Sequence, residues 1–289
     1  MECHDRRVSN VGSTDVFINV LKAFEETLHS RLETCATFPE FLETCKDRLR
    51  AVIADAVAIV NKGREAKARC VPQLVRSLFV DDCIDVLREY NEGGARYSWG
   101  TAGIVGLNNL IDSLAAIKII VFGPAQCSPH ELLAILKVNF GDQEPFRRQL
   151  LALPKFGNDQ PEVNALAHEL SRFIFLELKQ YAYWRGGKFL PAIINFVIYD
   201  ELGKEVGATP DGRFCGTPLG DSAGAVQGRD TNGPTALLNS VTSLDLIHAV
   251  QTPVVNIRLS GKTLTEEKSR RAACASLDLL SVTAACRSR

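Results

Sequence analysis

Eight glycines (203, 207, 212, 216, 220, 224, 228 and 233) and two prolines fall between Leu202 and Gly233. No helix or strand tolerates that density, because glycine carries a large backbone entropy cost on ordering and proline brings no N–H to a ladder. The stretch reads as one long loop. A loop of this length inside a folded chain is usually either functional or disordered. Thr209, Asp211, Arg213 and Asp221 carry the hydroxyl and charged groups that would fix it. Asp211 and Arg213 are expected to tie the turn through charge-assisted hydrogen bonds.

Around that loop the chain is written mostly in helical periodicity. From Thr37 to Asn61, apolar residues fall at Phe38, Phe41, Leu42, Cys45, Leu49, Val52, Ile53, Ala56 and Val60, the three-and-four spacing of an amphipathic helix. Thr37 can cap it, and Gly63 is expected to end it. The pattern predicts further helices over Asp15–Leu32, Asn108–Phe122 and Pro161–Trp184, and another after Pro234. Ser128, Pro129 and Glu131 spell a capping box with proline at the first helical position, which opens one more. The Asn108–Phe122 segment is apolar all round, as a core helix should be. Two short runs, PAIINFVIY at 191–199 and PVVNIRLS at 253–260, suit buried strands. The fold class is therefore α/β and helix-rich, one unit over 1–260 with a divergent tail over 261–289.

Charge excludes some functions. With 33 Lys+Arg against 34 Asp+Glu the formal net charge is −1, and no basic stripe occurs, so nucleic acid is not expected as a partner. The longest apolar runs are broken by Asp55 and Lys118, which argues against a membrane span. The segment MECHDRRVSN has no apolar core of a secretory signal, so the nine Cys are expected to be thiols; no Cys-x-x-Cys pair suggests a zinc site.

Three motifs bear on chemistry. Gly220, Asp221, Ser222, Ala223 and Gly224 form G-x-S-x-G, the pattern of a serine hydrolase elbow. The flanks are turn-rich, and His248 lies only three residues after Asp245, which leaves little chain to bring base and acid to the serine. Small residues required by a tight loop are the alternative. Gly93, Gly94, Gly100, Gly103 and Gly106 precede a helix, as a phosphate cradle would, but no strand or Walker lysine is evident, and close packing against a core helix accounts for them. His29, His130 and His168 lack ligand partners at helical spacing, so no metal is expected.

The run from Gly207 to Asp245, GATPDGRFCGTPLGDSAGAVQGRDTNGPTALLNSVTSLD, resembles the proline- and glycine-rich loop of glycyl radical enzymes, the family of pyruvate formate-lyase and glycerol dehydratase. Upstream, SLFVDDCIDVLREYNEGGARYSWGTAGIVGLNNLIDSLAAIKIIVF and LPKFGNDQPEVNALA resemble further blocks of that family in the same order, so the likeness covers 77 to 245. It implies part of a ten-stranded α/β barrel, helix-rich and incomplete, from a cytoplasmic enzyme of anaerobic metabolism of the formate C-acetyltransferase, dehydratase or lyase type. It also implies a radical-installing activase that uses S-adenosylmethionine and an iron-sulfur cluster, with no cofactor bound by the chain itself. A glycyl radical would take hydrogen from a cysteine thiol, and the thiyl radical would act on substrate in a dry interior.

The departures from that family are specific. Its radical motif is Arg-Val-x-Gly-Tyr, and the sequence contains no Gly-Tyr dipeptide; Arg7, Val8, Ser9 and Asn10 begin it and place Asn where Gly is required. Its catalytic motif is Gly-Cys-x-Glu, and Glu2, Cys3, His4 and Asp5 are similar to a decayed copy, with Cys3 at the thiyl position and Asp5 as a shortened carboxylate. A cysteine so near a terminus is otherwise inert. His4 in place of a second Cys points away from the pyruvate branch, which uses adjacent cysteines. Three readings follow: a truncated chain inactive alone and prone to self-association, a subunit completed by another chain that supplies the missing half, or a hydrolase using Ser222.

Overall fold

The computed structural model describes residues 10–11, 14–124, 127–249 and 253–257, with single positions at 267 and 271. The N-terminal strands β1 (Asn10–Val11) and β2 (Thr14–Asn19) lead into helices α1 (Val20–Arg31), α2 (Phe38–Cys70) and α3 (Leu74–Ser77). Next come β3 (Tyr97–Val105) and four helices, α4 (Leu107–Ile120), α5 (Pro129–Lys137), α6 (Glu144–Ala152) and α7 (Pro161–Gln180). Strands β4 (Ala182–Tyr183) and β5 (Gly187–Ala192) and helices α8 (Ile198–Lys204) and α9 (Gly233–Ser243) complete the described elements.

The helix expected from Asp15 divides at Asn19. Val16, Phe17 and Ile18 are β-branched or aromatic and pair in parallel with β3, whereas the Asn19 carboxamide accepts the Lys22 N–H at 3.1 Å and starts α1. The expected stop at Gly63 is absent, and α2 runs on to Cys70. Thr37 and Ser128 cap their helices as read, and the Ser128–Glu131 capping box is complete. In α4 nearly every residue from Leu107 to Ile117 is buried, so this helix is the core, with α1, α2 and α7 packed around it.

The five-stranded sheet centres on a parallel trio, β2–β3–β5, with the two-residue β1 parallel on the start of β3 and the two-residue β4 antiparallel on β5. β3 was hidden because Gly100 and Gly103 dilute its pattern. These glycines answer to rings on neighbouring strands rather than to a helix: a Cβ at Gly100 would lie 2.5 Å from the Tyr183 ring, and one at Gly103 2.6 Å from the Phe17 ring. The predicted strand over 191–199 is displaced: β5 ends at Ala192 and the chain turns into α8. Of 253–260, the described residues 253–257 form no strand, although Val254 bridges the Ile193 carbonyl and the Ala223 N–H at 3.2 and 3.0 Å. Positions 258–260 and nearly all of the tail lie outside the described residues. Among those described, β2 pairs on one side alone, and Phe189–Ala192 of β5 have β3 as their sole partner. No described helix is long and apolar enough to cross a membrane.

Gly63 sits inside α2, where an added Cβ meets nothing within 4 Å. The substitution Gly63→Ala should therefore raise unfolding free energy by about 0.5–1 kcal/mol, because alanine removes the entropy penalty of a helical glycine. Urea unfolding measures it; a loss of stability would mean that α2 bends there.

Candidate functional site

Three parallel strands bring their C-terminal ends, Asn19, Val105 and Ala192, to one edge of the sheet, and the glycine-rich segment 205–232 crosses that edge without regular structure. Its backbone polar groups must find partners elsewhere. The N-terminal halves of two helices provide them. From α1, the buried Glu25 accepts the Gly207 N–H at 2.7 Å, and Lys22 donates to the Glu205 carbonyl at 2.8 Å. From α4, Asn109 accepts the Gly220 N–H at 2.7 Å and Asn108 donates to the Gly224 carbonyl at 2.9 Å. Gly220 has no room for a side chain, since a Cβ would fall 2.1 Å from the Asn108 amide.

Arg213 is the clamp of the loop. Its guanidinium donates to the carbonyls of Gly203 and Gly207, both at 2.7 Å, to Thr217 at 2.6 and 3.0 Å, and to Val206 at 3.4 Å. Its guanidinium has no bond to Asp211, whose carboxylate instead accepts the Arg213 backbone N–H at 3.4 Å. Asp211, fully buried, takes the Thr209 hydroxyl at 2.5 Å, the Asn109 amide at 2.8 Å and the Arg229 guanidinium at 2.7 Å. Burial alone would raise its carboxyl, but Arg229, Thr209, Asn109 and Arg213 together hold it below the ordinary value.

Arg229 reaches a second buried carboxylate, Asp112, at 3.5 Å, and Asp112 also accepts the Phe156 N–H at 2.7 Å. Here burial prevails and pushes the Asp112 carboxyl up to about 7, against the pull of Arg229 and Lys155. Lys155, buried as well, donates to the Leu150 and Leu153 carbonyls at 2.5 and 3.1 Å. Asn158 finishes the anchoring: its Oδ1 accepts the N–H groups of Thr231 and Asn232 at 2.8 and 3.0 Å, and its Nδ2 donates to the Arg229 carbonyl at 2.7 Å.

Ser222 lies on the same edge with φ +52° and is buried. Its hydroxyl donates to Asp221 at 2.8 Å and accepts the Asn195 N–H at 3.2 Å, and Asp221 also accepts the Asn256 amide. With the Asn195 amide turned to donate to the Ile104 carbonyl at 3.1 Å, its oxygen takes the Ser222 N–H at 3.0 Å. No helix follows Ser222, and among the described residues no histidine reaches it; His248 pairs with Asp245 at 2.9 Å. The elbow geometry of a hydrolase is not built here.

Of the residues singled out in the sequence, Asp211, Arg213, Asp221 and Ser222 meet at this edge, whereas Cys3 and Asp5 lie outside the described residues. Sequence reasoning missed Asn108, Asn109, Asp112, Lys155, Asn158, Asn195 and Arg229. A signal existed for part of the set: Asn108 and Asp112 are four apart in an otherwise apolar helix, hence on one face.

Asp112 binds a proton more tightly folded than unfolded, so its contribution favours the fold below pH 4 and is lost as pH rises through about 7. Asp211 has the opposite sign, contributing above its ordinary value of 3.8 and losing that contribution only on further acidification. The stability of the natural chain relative to Asp112→Asn should therefore climb between pH 7 and pH 4, by roughly 4 kcal/mol at most. Chemical denaturation at the two pH values measures this; a flat difference would mean that Asp112 is ionised in the fold.

The pyruvate formate lyase-like family model matches residues 13–203. A probable dehydratase, YbiW, of Escherichia coli (strain K12) is 34% identical over 210 residues, covering 70% of this chain and 26% of its own length. Trans-4-hydroxy-L-proline dehydratase of Clostridioides difficile is 31% identical over 233 residues, 80% of this chain and 29% of the relative. Among solved structures, the glycerol-bound B12-independent glycerol dehydratase of Clostridium butyricum superposes with a TM-score of 0.85 at 31% identity, over 91% of this chain and 35% of that one. A glycyl radical enzyme from Archaeoglobus fulgidus gives 0.82 at 26% identity. The chain spans about a quarter to a third of the length of these relatives. With that match and with the loop and parallel strands described above, the chain belongs to the pyruvate formate lyase-like family of glycyl radical enzymes.

Proposed function

We propose that these 289 residues form a section of the barrel of a glycyl radical dehydratase or lyase, and that their task is to hold the 205–232 loop across the strand ends. The observation that carries this is the commitment of the loop's buried charged groups to internal bonds: Asp211 to Asn109, Thr209 and Arg229, and Arg213 to four carbonyls. On this reading Asp211, Arg213 and Asp221 shape the loop that borders a substrate space, and they do not bind substrate themselves. Replacing Arg213→Ala would leave four carbonyls short of a donor and should lower stability by about 3 kcal/mol. Unchanged thermal melting with loss of a bound ligand would reverse the assignment.

Radical storage does not fit the residues present. A glycyl radical supplies the hydrogen abstraction that starts the reaction in such enzymes, and the chain has no Gly-Tyr pair to carry one. Nor do the described cysteines make a thiyl site: Cys45, Cys83 and Cys127 are buried on α2, in the turns after α3 and just before α5, Cys35 is half-buried ahead of α2, and Cys70 and Cys215 are exposed, where a radical would be quenched. We therefore assign no radical step to this chain alone.

Completion by further barrel sections, on this chain or another, is favoured by the open edges of β2 and β5. Exposed Leu74, Val75, Leu78, Phe79 and Leu87, the last 91% accessible, favour it too, since soluble surfaces rarely carry such a cluster uncovered. Anaerobic incubation with an activase and S-adenosylmethionine, followed by electron paramagnetic resonance, tests the reading. No signal is expected from the 289 residues alone, and a doublet should appear once a C-terminal glycyl radical polypeptide is added. A doublet from the chain by itself would overturn the proposal.

A further inference from the structure

At the opposite ends of the strands, where β3 and β5 begin, a cavity of about 510 Å³ is bounded by Arg96, Ser98, Trp99, Arg185, Gly187 and Lys188, among others. Its wall includes three cationic side chains and no carboxylate, in a chain whose net charge is −1. Arg96 is occupied, bidentate on Asp82 at 2.6 and 3.0 Å. The other two cations are free: among the described residues neither the Arg185 nor the Lys188 side chain has a hydrogen bond or an ion pair, although the Arg185 guanidinium stacks on the Trp184 ring at 4.9 Å.

Two further features mark the place. Arg185 is held at φ +64°, the left-handed region that costs a non-glycine residue energy and that recurs at ligand clamps. Trp99, paired with Lys188 in the sheet register, supplies an aromatic side chain to the same wall. A planar guanidinium and an ammonium on one cavity wall, both without a carboxylate partner, share one complementary chemistry, an oxyanion.

We propose that this cavity binds a small ligand through a phosphate or carboxylate group, held by Arg185 and Lys188 against the Trp99 wall. The assignment rests on this chain's own residues and is independent of the barrel function above. The two tryptophans of the chain, Trp99 and Trp184, are both at the site, so their fluorescence reads it directly. The full chain is titrated with inorganic phosphate, and in parallel with acetate, at ionic strength kept constant with chloride. A saturable change is expected, weakened about tenfold in Arg185→Gln and in Lys188→Gln. Both side chains are exposed, so these variants should fold, and unchanged melting verifies it. Lys118→Gln, altering a cation that faces Glu162 on another surface, should bind as the natural chain does. Tighter phosphate than acetate would assign a phosphate-bearing ligand, and the reverse order a carboxylate. A fluorescence response no larger than the chloride blank, or equal weakening in Lys118→Gln, would overturn the proposal.

Discussion

Two carboxylates without solvent access, Asp112 and Asp211, lean on a single guanidinium, and the rest of the strand-end architecture depends on that arrangement. Buried charge is tolerated only where partners replace the lost water, and removing one partner of such a set costs about 3–5 kcal/mol. The partners come from separate parts of the chain. Asp112 and Asn109 belong to α4, Lys155 to the turn before α7, and Asp211 and Arg229 to the two halves of the glycine-rich loop. The loop therefore cannot lift away without stranding charge in an apolar interior, which is how a segment with no helix or strand keeps one conformation.

The same constraint explains the composition of the loop. Backbone that lies directly on a helix terminus leaves no volume for Cβ atoms, as Gly220 against Asn108 illustrates, and its N–H and C=O groups are taken up by Glu25, Asn108, Asn109 and Arg213 rather than by a ladder. Parallel strands in turn need cover on both faces and partners at both edges. The helices supply one layer, and the loop closes the C-terminal ends. The edges of β2 and β5 remain open among the described residues, in keeping with relatives well over twice as long.

Much of the helical framework was legible. Periodicity marks α2, α4 and α7, the Ser128 capping box marks α5, and glycine density marks the loop. The strands were harder to read. β2 is six residues long and continues into a helix without a break in apolar pattern, and in β3 the glycines that admit Phe17 and Tyr183 erase the alternation that a strand would otherwise display. Arg213 and Asp211 were recognisable as charged groups in the right loop. Their partners were not, because Arg229 is eighteen positions from Asp211 and Asn109 over a hundred.

By itself, the amino-acid order determined the main helices α2, α4, α5 and α7, the long turn-rich loop, and which family the chain resembles, since capping residues, apolar spacing and short motifs act over a few neighbouring positions. Tertiary structure decided which charges meet. Whether Asp112 is an ordinary surface carboxylate or a proton-holding group near pH 7 depends on how much water α4, the Lys155 turn and the loop exclude when they close together. Desolvation is a property of that packed arrangement, and no local pattern of residues encodes it.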